Sequence, residues 1–184
     1  MESENASSAG NQQERVPRNI DSLKYYLAGF TDSEGSFNVN VCKNKYSYFG
    51  WKLDPLFQIY QSKDNDKMLH IFRDVLGCGY IRRDENDSSG YVYCVNSVNN
   101  LVRNVIPFFE EHPLIGSKYK DFSLFKEIVY ALANKEQLNF NGFSRLTRLA
   151  CKMSRCGKNK KYLLGYVLRS LDQSSETKRQ THIR

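Results

Sequence analysis

A change of periodicity within residues 25–41 constrains the fold of this sequence more than any other feature. In the stretch YYLAGFTDSEGSFNVNV, the apolar residues recur at helical spacing up to Thr31, whereas those of FNVNV alternate with asparagines. The first pattern predicts an amphipathic helix and the second a half-buried strand. Two carboxylates and a glycine stand between them, in Asp32-Ser33-Glu34-Gly35. A helix must therefore run into an acidic turn and continue directly as a strand.

The composition is that of a folded domain. The 184 residues are 40% hydrophobic and 13% aromatic, which suits one domain with a sizeable core, and we assign that domain to residues 20–171. A polar N-terminal tail at 1–19, predicted to be disordered, and a basic C-terminal tail at 172–184 flank it. The sequence has neither a run of about 18 apolar residues nor a signal-peptide pattern, so we expect no membrane span and no export. The five cysteines lack CxxC spacing, which favours free thiols over a metal site.

The positive charge is concentrated towards the C-terminus. The net charge is +7, and residues 145–184 alone carry 11 basic and 2 acidic side chains. Lysine and arginine release counterions from phosphates, so a basic region of this kind indicates a polyanionic partner.

The periodicities predict an α+β domain in the order α-β-β-α-β-β-α, followed by extra helices. Asp21 or Ser22 is placed to cap the first helix and Asp64 or Asn65 the second, which Gly77 ends. Strands joined as hairpins, with helices on one side, leave the other face of an antiparallel sheet free. The segments predicted after the first helix are strands at 36–42 and 56–61 around a loop at 43–50, a helix within 63–79, strands at 80–85 and 91–97 around a DSSG turn, and helices at 99–111 (with a break at Ile106-Pro107), 117–133, 142–155 and 158–171.

Four short stretches resemble a known family. LAGFTDSEG at 27–35 resembles the signature of the LAGLIDADG homing endonucleases. FQIYQ at 57–61, GCGYIR at 77–82 and KYKDF at 118–122 are similar in order and spacing to the single-motif, homodimeric branch of intron-encoded enzymes. The resemblance covers about residues 20–135 and implies a saddle-shaped fold with an antiparallel sheet. It also implies a site-specific endonuclease that hydrolyses both strands of a long, pseudo-palindromic double-stranded DNA site.

Small residues on the first helix predict a second copy of the chain as partner. Gly29 and Ser33 lie four residues apart on one helix face, which lets another helix approach closely. The similar stretch at 162–171, YLLGYVLRSL, has Arg169-Ser170 where the acids belong, so it supplies no second motif. We therefore expect a homodimer whose interface contains Gly29, Ser33 and Tyr25.

The acidic turn predicts a divalent-metal site. Two copies of Glu34 brought together by a two-fold axis would repel each other unless cations neutralised them, and Mg²⁺ prefers oxygen ligands. The resemblance assigns Glu34 as the ligand of Mg²⁺ or another divalent cation, with the backbone carbonyl of Ser33 beside it. Asp32 matches the other acid of the signature, for which we expect a structural role near the helix end.

Two further catalytic residues follow from the resemblance. Gln61 matches the polar residue that family members place beside the metals to order water. Lys118 matches the active-site lysine, with Lys120 as an alternative because the register is open by a residue or two. Asn65 is a departure, since this branch tends to carry a basic residue there.

The free sheet face and the hairpin tip are expected to read DNA. Amide and guanidinium groups on a two-stranded ribbon can reach base edges in the major groove. The predicted DNA-binding side chains are Asn38, Asn40, Lys43, Lys45, Gln58, Tyr60, Arg82 and Arg83.

Two alternative functions remain open from the sequence. The same fold could serve as a splicing helper (a maturase) that binds intron RNA, or as a DNA-binding regulator without catalysis. Glu34 favours cleavage, because a protein that only binds gains nothing from an acid beside phosphates. The sequence does not decide between an organelle (chloroplast or mitochondrion) and the bacterial cytoplasm, and it does not give the DNA target.

Overall fold

The structure is a computed structural model that describes residues 19–84, 90–153 and 164–170. The predicted tail at 172–184 and all but the last residue of the predicted tail at 1–19 lie outside these ranges. The first three residues of the predicted DSSG turn also lie outside the described residues. The same holds for residues 154 and 155 of the predicted 142–155 helix, and for the predicted 158–171 helix except residues 164–170.

The helices and strands follow the predicted α-β-β-α-β-β-α order, with further helices after it. The first half consists of α1 (Ile20–Glu34), β1 (Gly35–Lys43), β2 (Trp51–Ser62), α2 (Lys67–Leu76), β3 (Tyr80–Arg83) and β4 (Gly90–Val95). The second half consists of α3 (Val98–Asn100), a π-helical segment (Leu101–Val105), α4 (Ile106–Glu111), α5 (Lys118–Ala133), α6 (Phe140–Ala150) and a helix over 164–170. Short 3-10 turns cover Lys63–Asn65 and Glu136–Leu138. Of the helices described, none is long and apolar enough to cross a membrane.

The four strands form one antiparallel sheet in the order β1-β2-β4-β3. Phe37 of β1 lies opposite Phe57 of β2, which lies opposite Val95 of β4. Because successive side chains of a strand point to opposite faces, these residues and their alternate neighbours form one apolar face. Polar side chains on the other face form the surface predicted to meet DNA.

Aromatic rings fill the layer between the apolar sheet face and the helices. Phe37 is only 3% exposed, and its ring centroid lies 5.0–5.4 Å from those of Phe57, Phe109, Phe122 and Phe125. Rings at these separations stabilise one another beyond the effect of their buried area. The strand that follows the acidic turn is thereby fixed against α4 and α5.

The predicted cap of α1 is wrong by two or three residues. Asn19 caps the helix, and its side-chain oxygen accepts a hydrogen bond of 2.9 Å from the backbone N–H of Asp21, so neither Asp21 nor Ser22 is the cap. An asparagine with extended backbone before the first turn can satisfy one of the free N–H groups. Asn139 caps α6 in the same way, by accepting from Gly142, so the helix predicted at 142–155 begins earlier and ends at Ala150.

The predicted start of α2 is also wrong, while its end is confirmed. Asp64 and Asn65 lie in the 3-10 turn before the helix, and α2 begins after Asp66, which makes no side-chain capping bond. At the other end Gly77 has φ 65°, in the left-handed region that glycine adopts without strain, and its N–H bonds to the carbonyl of Arg73.

Strand β2 is longer than the predicted 56–61 because it begins at Trp51. Pro55 obscures the alternation of buried and exposed residues in this part of the sequence. Strand β4 pairs with β2 only from Phe57 onward, so β2 is an edge strand at Pro55 and tolerates the missing N–H there. Lys52 and Asp54 therefore belong to the polar face of the sheet.

The break predicted at Ile106-Pro107 does not occur. The chain remains helical from Val98 to Glu111 through the π-helical segment, in which the N–H of Ile106 bonds to the carbonyl of Leu101. Pro107 follows directly after the π-helical segment, in the first turn of α4, where its fixed φ suits the helix. The wider π turn ends one hydrogen-bonding register and allows the next to begin.

We expect Phe37→Ala to lower the free energy of unfolding by about 3–5 kcal/mol, because it opens a cavity among four other rings. Tyr46→Ala is the matched control: Tyr46 is 87% exposed, and its loss should change stability by no more than about 0.5 kcal/mol. Urea denaturation of both variants measures the difference. Equal stabilities would contradict the central position of Phe37 in the core.

Candidate metal and nucleic-acid site

Helix α1 presents one face to solvent and one to the core. Leu27, Ala28 and Thr31 are buried, whereas one set of exposed residues recurs at spacings of three and four. These exposed residues, which we call the small-residue face, are Ser22, Tyr25, Gly29 and Ser33. The three residues predicted for the dimer interface thus share one exposed helix face, and their contact with a second copy stays a prediction.

Glycine at position 35 lets the helix turn directly into the strand. Its backbone N–H bonds to the carbonyl of Thr31, and its φ of −79° is accessible to any residue. A Cβ at this position would clash with the Thr31 side chain and lie 2.6 Å from the Thr31 carbonyl oxygen. Gly35 is therefore required for space, because the buried Thr31 leaves no room for a side chain.

Asp32, the first acid of the turn, binds a distant loop. Its Oδ2 accepts hydrogen bonds from the backbone N–H groups of Ile115 (2.8 Å) and Gly116 (2.9 Å). A Cβ on Gly116 would lie 2.9 Å from Oδ1 of Asp32, so a glycine allows this close approach. The carboxylate is thus engaged in holding the loop before α5, which agrees with the structural role predicted for it.

Lys118, at the start of α5, makes a reciprocal contact with α1. Its Nζ donates to the backbone carbonyls of Asp32 (3.0 Å) and Ser33 (2.7 Å). These carbonyls belong to the last turn of α1, where the helix dipole favours a positive charge. Lys120 is exposed, so the structure places Lys118 and not Lys120 at the acidic turn.

Glu34 ends α1 with an exposed carboxylate that makes no hydrogen bond and no ion pair to another described residue. The described residues contain no group of three or more His, Cys, Asp or Glu side chains able to hold a metal ion. A single chain therefore offers one free carboxylate and the adjacent carbonyl of Ser33, which is fewer oxygen ligands than a divalent cation takes.

Gln61 lies near the end of β2 and is oriented by a neighbour. Its Oε1 accepts a hydrogen bond of 2.9 Å from Nδ2 of Asn65, in the 3-10 turn that follows. Asn65, the residue at which the sequence departs from the family pattern, thus orients the side-chain amide of Gln61. The amide –NH₂ of Gln61 remains available as a donor.

Four of the predicted DNA-binding residues lie on the polar sheet face. Two further charged residues on this face, Lys52 and Asp54, were missed in the sequence. Asn38 donates to Asn40 (3.0 Å), and the salt bridge Lys52–Asp54 (2.9 Å) lies on the neighbouring strand. The hydrogen bond from Lys52 to Asp54 raises the pKa of the lysine. The alternation of Trp51 and Leu53 with Lys52 and Asp54 is the signal in the sequence, but Pro55 obscures that it belongs to a strand. The predicted residues on this face are Asn38, Asn40, Tyr60 and Arg82, together with the buried Gln58.

Gln58 is not directly available to DNA. Its side chain is only 6% exposed, Nε2 lies 3.6 Å from Cys94 Sγ, and Oε1 accepts a hydrogen bond from the Tyr60 hydroxyl at 2.9 Å. A contact between Gln58 and a base would require these bonds to rearrange.

Three predicted residues do not share the polar face. By the strand register, Lys43 and Arg83 point to the opposite face, where Lys43 meets the 164–170 helix. Lys45 lies in the hairpin tip, as predicted, with its ammonium 5.0 Å from the Tyr46 ring. Sequence alternation alone could have assigned Lys43 to the face of Val39 and Val41.

The fold is that of the homing endonucleases. The archaeal intron-encoded homing endonuclease I-Vdi141I, solved in complex with DNA, superposes with a TM-score of 0.77 and 34% sequence identity over 85% of this chain and 99% of that one. The sequence matches the LAGLIDADG endonuclease family over residues 27–129, which is more than half of the chain. The chain therefore belongs to the LAGLIDADG endonuclease family.

Two curated relatives extend the comparison. "Probable intron-encoded endonuclease 2" of Neurospora crassa is 34% identical over 122 residues, which are 66% of this chain and 27% of that protein. "Homing endonuclease I-ApeII" of Aeropyrum pernix is 28% identical over 157 residues, which are 85% of this chain and 84% of that protein. The chain thus spans about a quarter of the fungal relative and most of the archaeal one.

We expect Asp32→Ala to speed hydrogen exchange at the amides of Ile115 and Gly116 by roughly tenfold or more, because both lose a charge-assisted hydrogen bond. Asp21→Ala removes the same charge at the other end of α1 and should leave these amides protected. Exchange measured by NMR on the two variants gives the comparison. Unchanged protection in Asp32→Ala would show that the carboxylate does not hold the loop.

Proposed function

We propose that this chain is a site-specific DNA endonuclease that hydrolyses both strands of a long, pseudo-palindromic site as a homodimer, with a divalent metal ion as cofactor. The observation that carries the proposal is the exposed, unpaired carboxylate of Glu34. It lies at the end of the small-residue face and next to carbonyls that already hold the Lys118 ammonium. A protein that only binds nucleic acid gains nothing from a free acid in such a position.

The small-residue face supports a homodimer. A Cβ built on Gly29 meets no atom within 4 Å, so the chain itself does not need a glycine there. The need arises if a second α1 helix packs on this face, since small residues permit close approach. Two-fold packing of identical helices brings both Glu34 residues towards the axis and completes the ligand set that one chain lacks.

The donors at the turn fit Mg²⁺ or a similar cation. The Glu34 carboxylate and the Ser33 carbonyl are oxygen ligands, and a carbonyl has two lone pairs, of which Lys118 uses one. When bound, the cation would stabilise the charge that develops on the attacking and leaving oxygens of a phosphodiester.

The protein's own side chains contribute binding and orientation at this centre. Lys118 keeps a positive charge at the end of α1, where it offsets the negative phosphate of an incoming strand. Gln61, whose carbonyl oxygen is bonded to Asn65, directs its –NH₂ as a donor towards a water or a phosphate oxygen. In this proposal Lys118 binds the phosphate and Gln61 orients the attacking water or a phosphate oxygen, and neither residue transfers a proton.

The polar sheet face supports duplex DNA as the substrate. Asn38 and Asn40 carry amide groups, and Arg82 carries a guanidinium, which are the groups that read base edges. A net charge of +7 favours phosphate binding in addition. The structural neighbour I-Vdi141I is complexed with DNA, and two copies of such a face related by a two-fold axis suit a pseudo-palindrome.

We expect Glu34→Gln to reduce cleavage roughly a thousandfold or more, because metal stabilisation is worth several kcal/mol and each ~1.4 kcal/mol is tenfold. Binding to the target should survive, since the amide keeps the size of the side chain and removes a charge that repels phosphates. Glu111→Gln, at a glutamate whose side chain is 70% exposed, is the control for the lost charge.

A plasmid carrying the target, assayed for gel shift and for linearisation with Mg²⁺, measures both effects. If Glu34→Gln cleaves at the rate of Glu111→Gln, Glu34 is not the metal ligand. Simultaneous loss of binding and cutting would show that Glu34 is structural.

We expect Gly29→Leu to yield a folded monomer. The side chain enters open space in the single chain, and replacing a helical glycine favours the helix, but a leucine fills the gap that a partner helix needs. Analytical ultracentrifugation at micromolar concentration compares it with wild type, and circular dichroism checks the fold. A monomeric wild type with intact cleavage, or a dimeric Gly29→Leu, would overturn the homodimer.

A further inference from the structure

The 164–170 helix packs beneath the last residue pair of the β1–β2 hairpin. Lys43 and Trp51 form this pair, and residues 44–50 beyond it make up the hairpin tip. The indole Nε1 of Trp51 donates to Ser170 Oγ at 2.9 Å, and the Ser170 hydroxyl donates to the carbonyl of Val167 at 2.7 Å. More than a hundred residues of chain separate these partners, so the contact is tertiary.

A cation and two aromatic rings complete the junction. Nζ of Lys43 donates to the Tyr166 hydroxyl at 3.2 Å and lies 5.1 Å from the centre of the Tyr166 ring and 5.8 Å from that of Trp51. The two rings meet edge to face, with centroids 5.9 Å apart. Cation–π and edge-to-face contacts are directional, so they fix orientation as well as position. Lys43 is thereby engaged with the helix.

The hairpin tip is held by hydrogen bonds of its own and by contacts with two helices. The N–H of Asn44 bonds to the carbonyl of Gly50 at 2.8 Å, and that of Ser47 to the carbonyl of Asn44 at 3.0 Å. Phe49 packs against Phe143 of α6, with ring centroids 5.7 Å apart. The 164–170 helix is a second support, at Lys43 and Trp51, so its loss should loosen the tip without detaching it.

The tip lies far from the acidic turn. Strand β1 separates them by nine residues, which is roughly 30 Å of extended chain and about nine base pairs of duplex. Under the proposed function the tip therefore meets the outer base pairs of each half-site, while the turn lies at the centre.

We propose that the 164–170 helix sets the orientation of the hairpin tip, and that Trp51, Tyr166 and Lys43 determine how strictly the outer base pairs are read. These three act as positioning residues, with Lys45 and the exposed Tyr46 left to touch DNA. The expected effect on DNA reading rests on the proposed function. The expected effect on hydrogen exchange of the hairpin tip in the free protein does not.

The test uses the full chain with Trp51→Phe and Tyr166→Phe combined, which keeps an aromatic ring at both positions, a smaller one at 51, and removes the indole N–H and the phenol hydroxyl. Tyr130→Phe, which removes a hydroxyl from a partly exposed tyrosine on α5, is the matched control. Binding to a randomised DNA library, sequenced by position, should show discrimination reduced by roughly threefold to tenfold at the outer base pairs. The inner base pairs should be read as by wild type.

Hydrogen exchange of residues 44–50 in the free protein gives the second readout, and we expect it to speed up in the double variant and not in Tyr130→Phe. Unchanged exchange and an unchanged profile would overturn the inference, as would an equal loss at inner and outer positions. A wild type without any sequence preference would instead refute the proposed function, and the exchange result would still decide whether the helix holds the tip.

Discussion

Reciprocal contacts between the end of α1 and the start of α5 determine the geometry of the candidate site. A carboxylate of α1 accepts the backbone N–H groups of the loop at Ile115 and Gly116, and an ammonium of α5 donates to the carbonyls of α1. Each contact pairs a full charge with backbone dipoles, and such hydrogen bonds are stronger than neutral ones. Because the contacts run in both directions, neither helix can slide without breaking bonds at both ends. The position of Glu34 depends on this junction.

The two acids of the turn have different environments and consequently different roles. Asp32 is partly buried, with Oδ2 saturated by two N–H groups, whereas Glu34 is exposed and has no described partner. Buried Thr31 excludes any side chain at Gly35, which makes the strand begin at once. The sharp turn therefore leaves Glu34 at the edge of the sheet face. Under the proposed function, the amphipathic helix runs into two carboxylates because Asp32 fastens the helix end and Glu34 stays exposed to hold a cation.

Local patterns predicted the fold well, and tertiary contacts explain what they missed. The change of period around Asp32-Ser33-Glu34-Gly35 and the order of elements follow from nearest-neighbour chemistry, and the structure confirms both. Pro55 obscured the start of β2, because only the pairing of β4 shows that the strand is an edge there. The choice between Lys118 and Lys120 depends on a loop whose contacts lie 83 and 84 residues from Asp32, and no local rule gives the path of that loop. The 164–170 helix carried no motif, since its contact with the hairpin joins distant parts of the chain.

The proposed catalytic centre needs Glu34 from both copies of the chain, because one chain offers a single free carboxylate at the turn. The direct measurement is cleavage of supercoiled target plasmid by a purified heterodimer in which one subunit carries Glu34→Gln and the other is wild type, each with its own affinity tag. If the centre is shared, linear product should form at least about a hundredfold more slowly than with wild type, because removing one ligand weakens metal stabilisation for both strands. Linearisation at the wild-type rate would show that a single Glu34 suffices and would contradict the shared site.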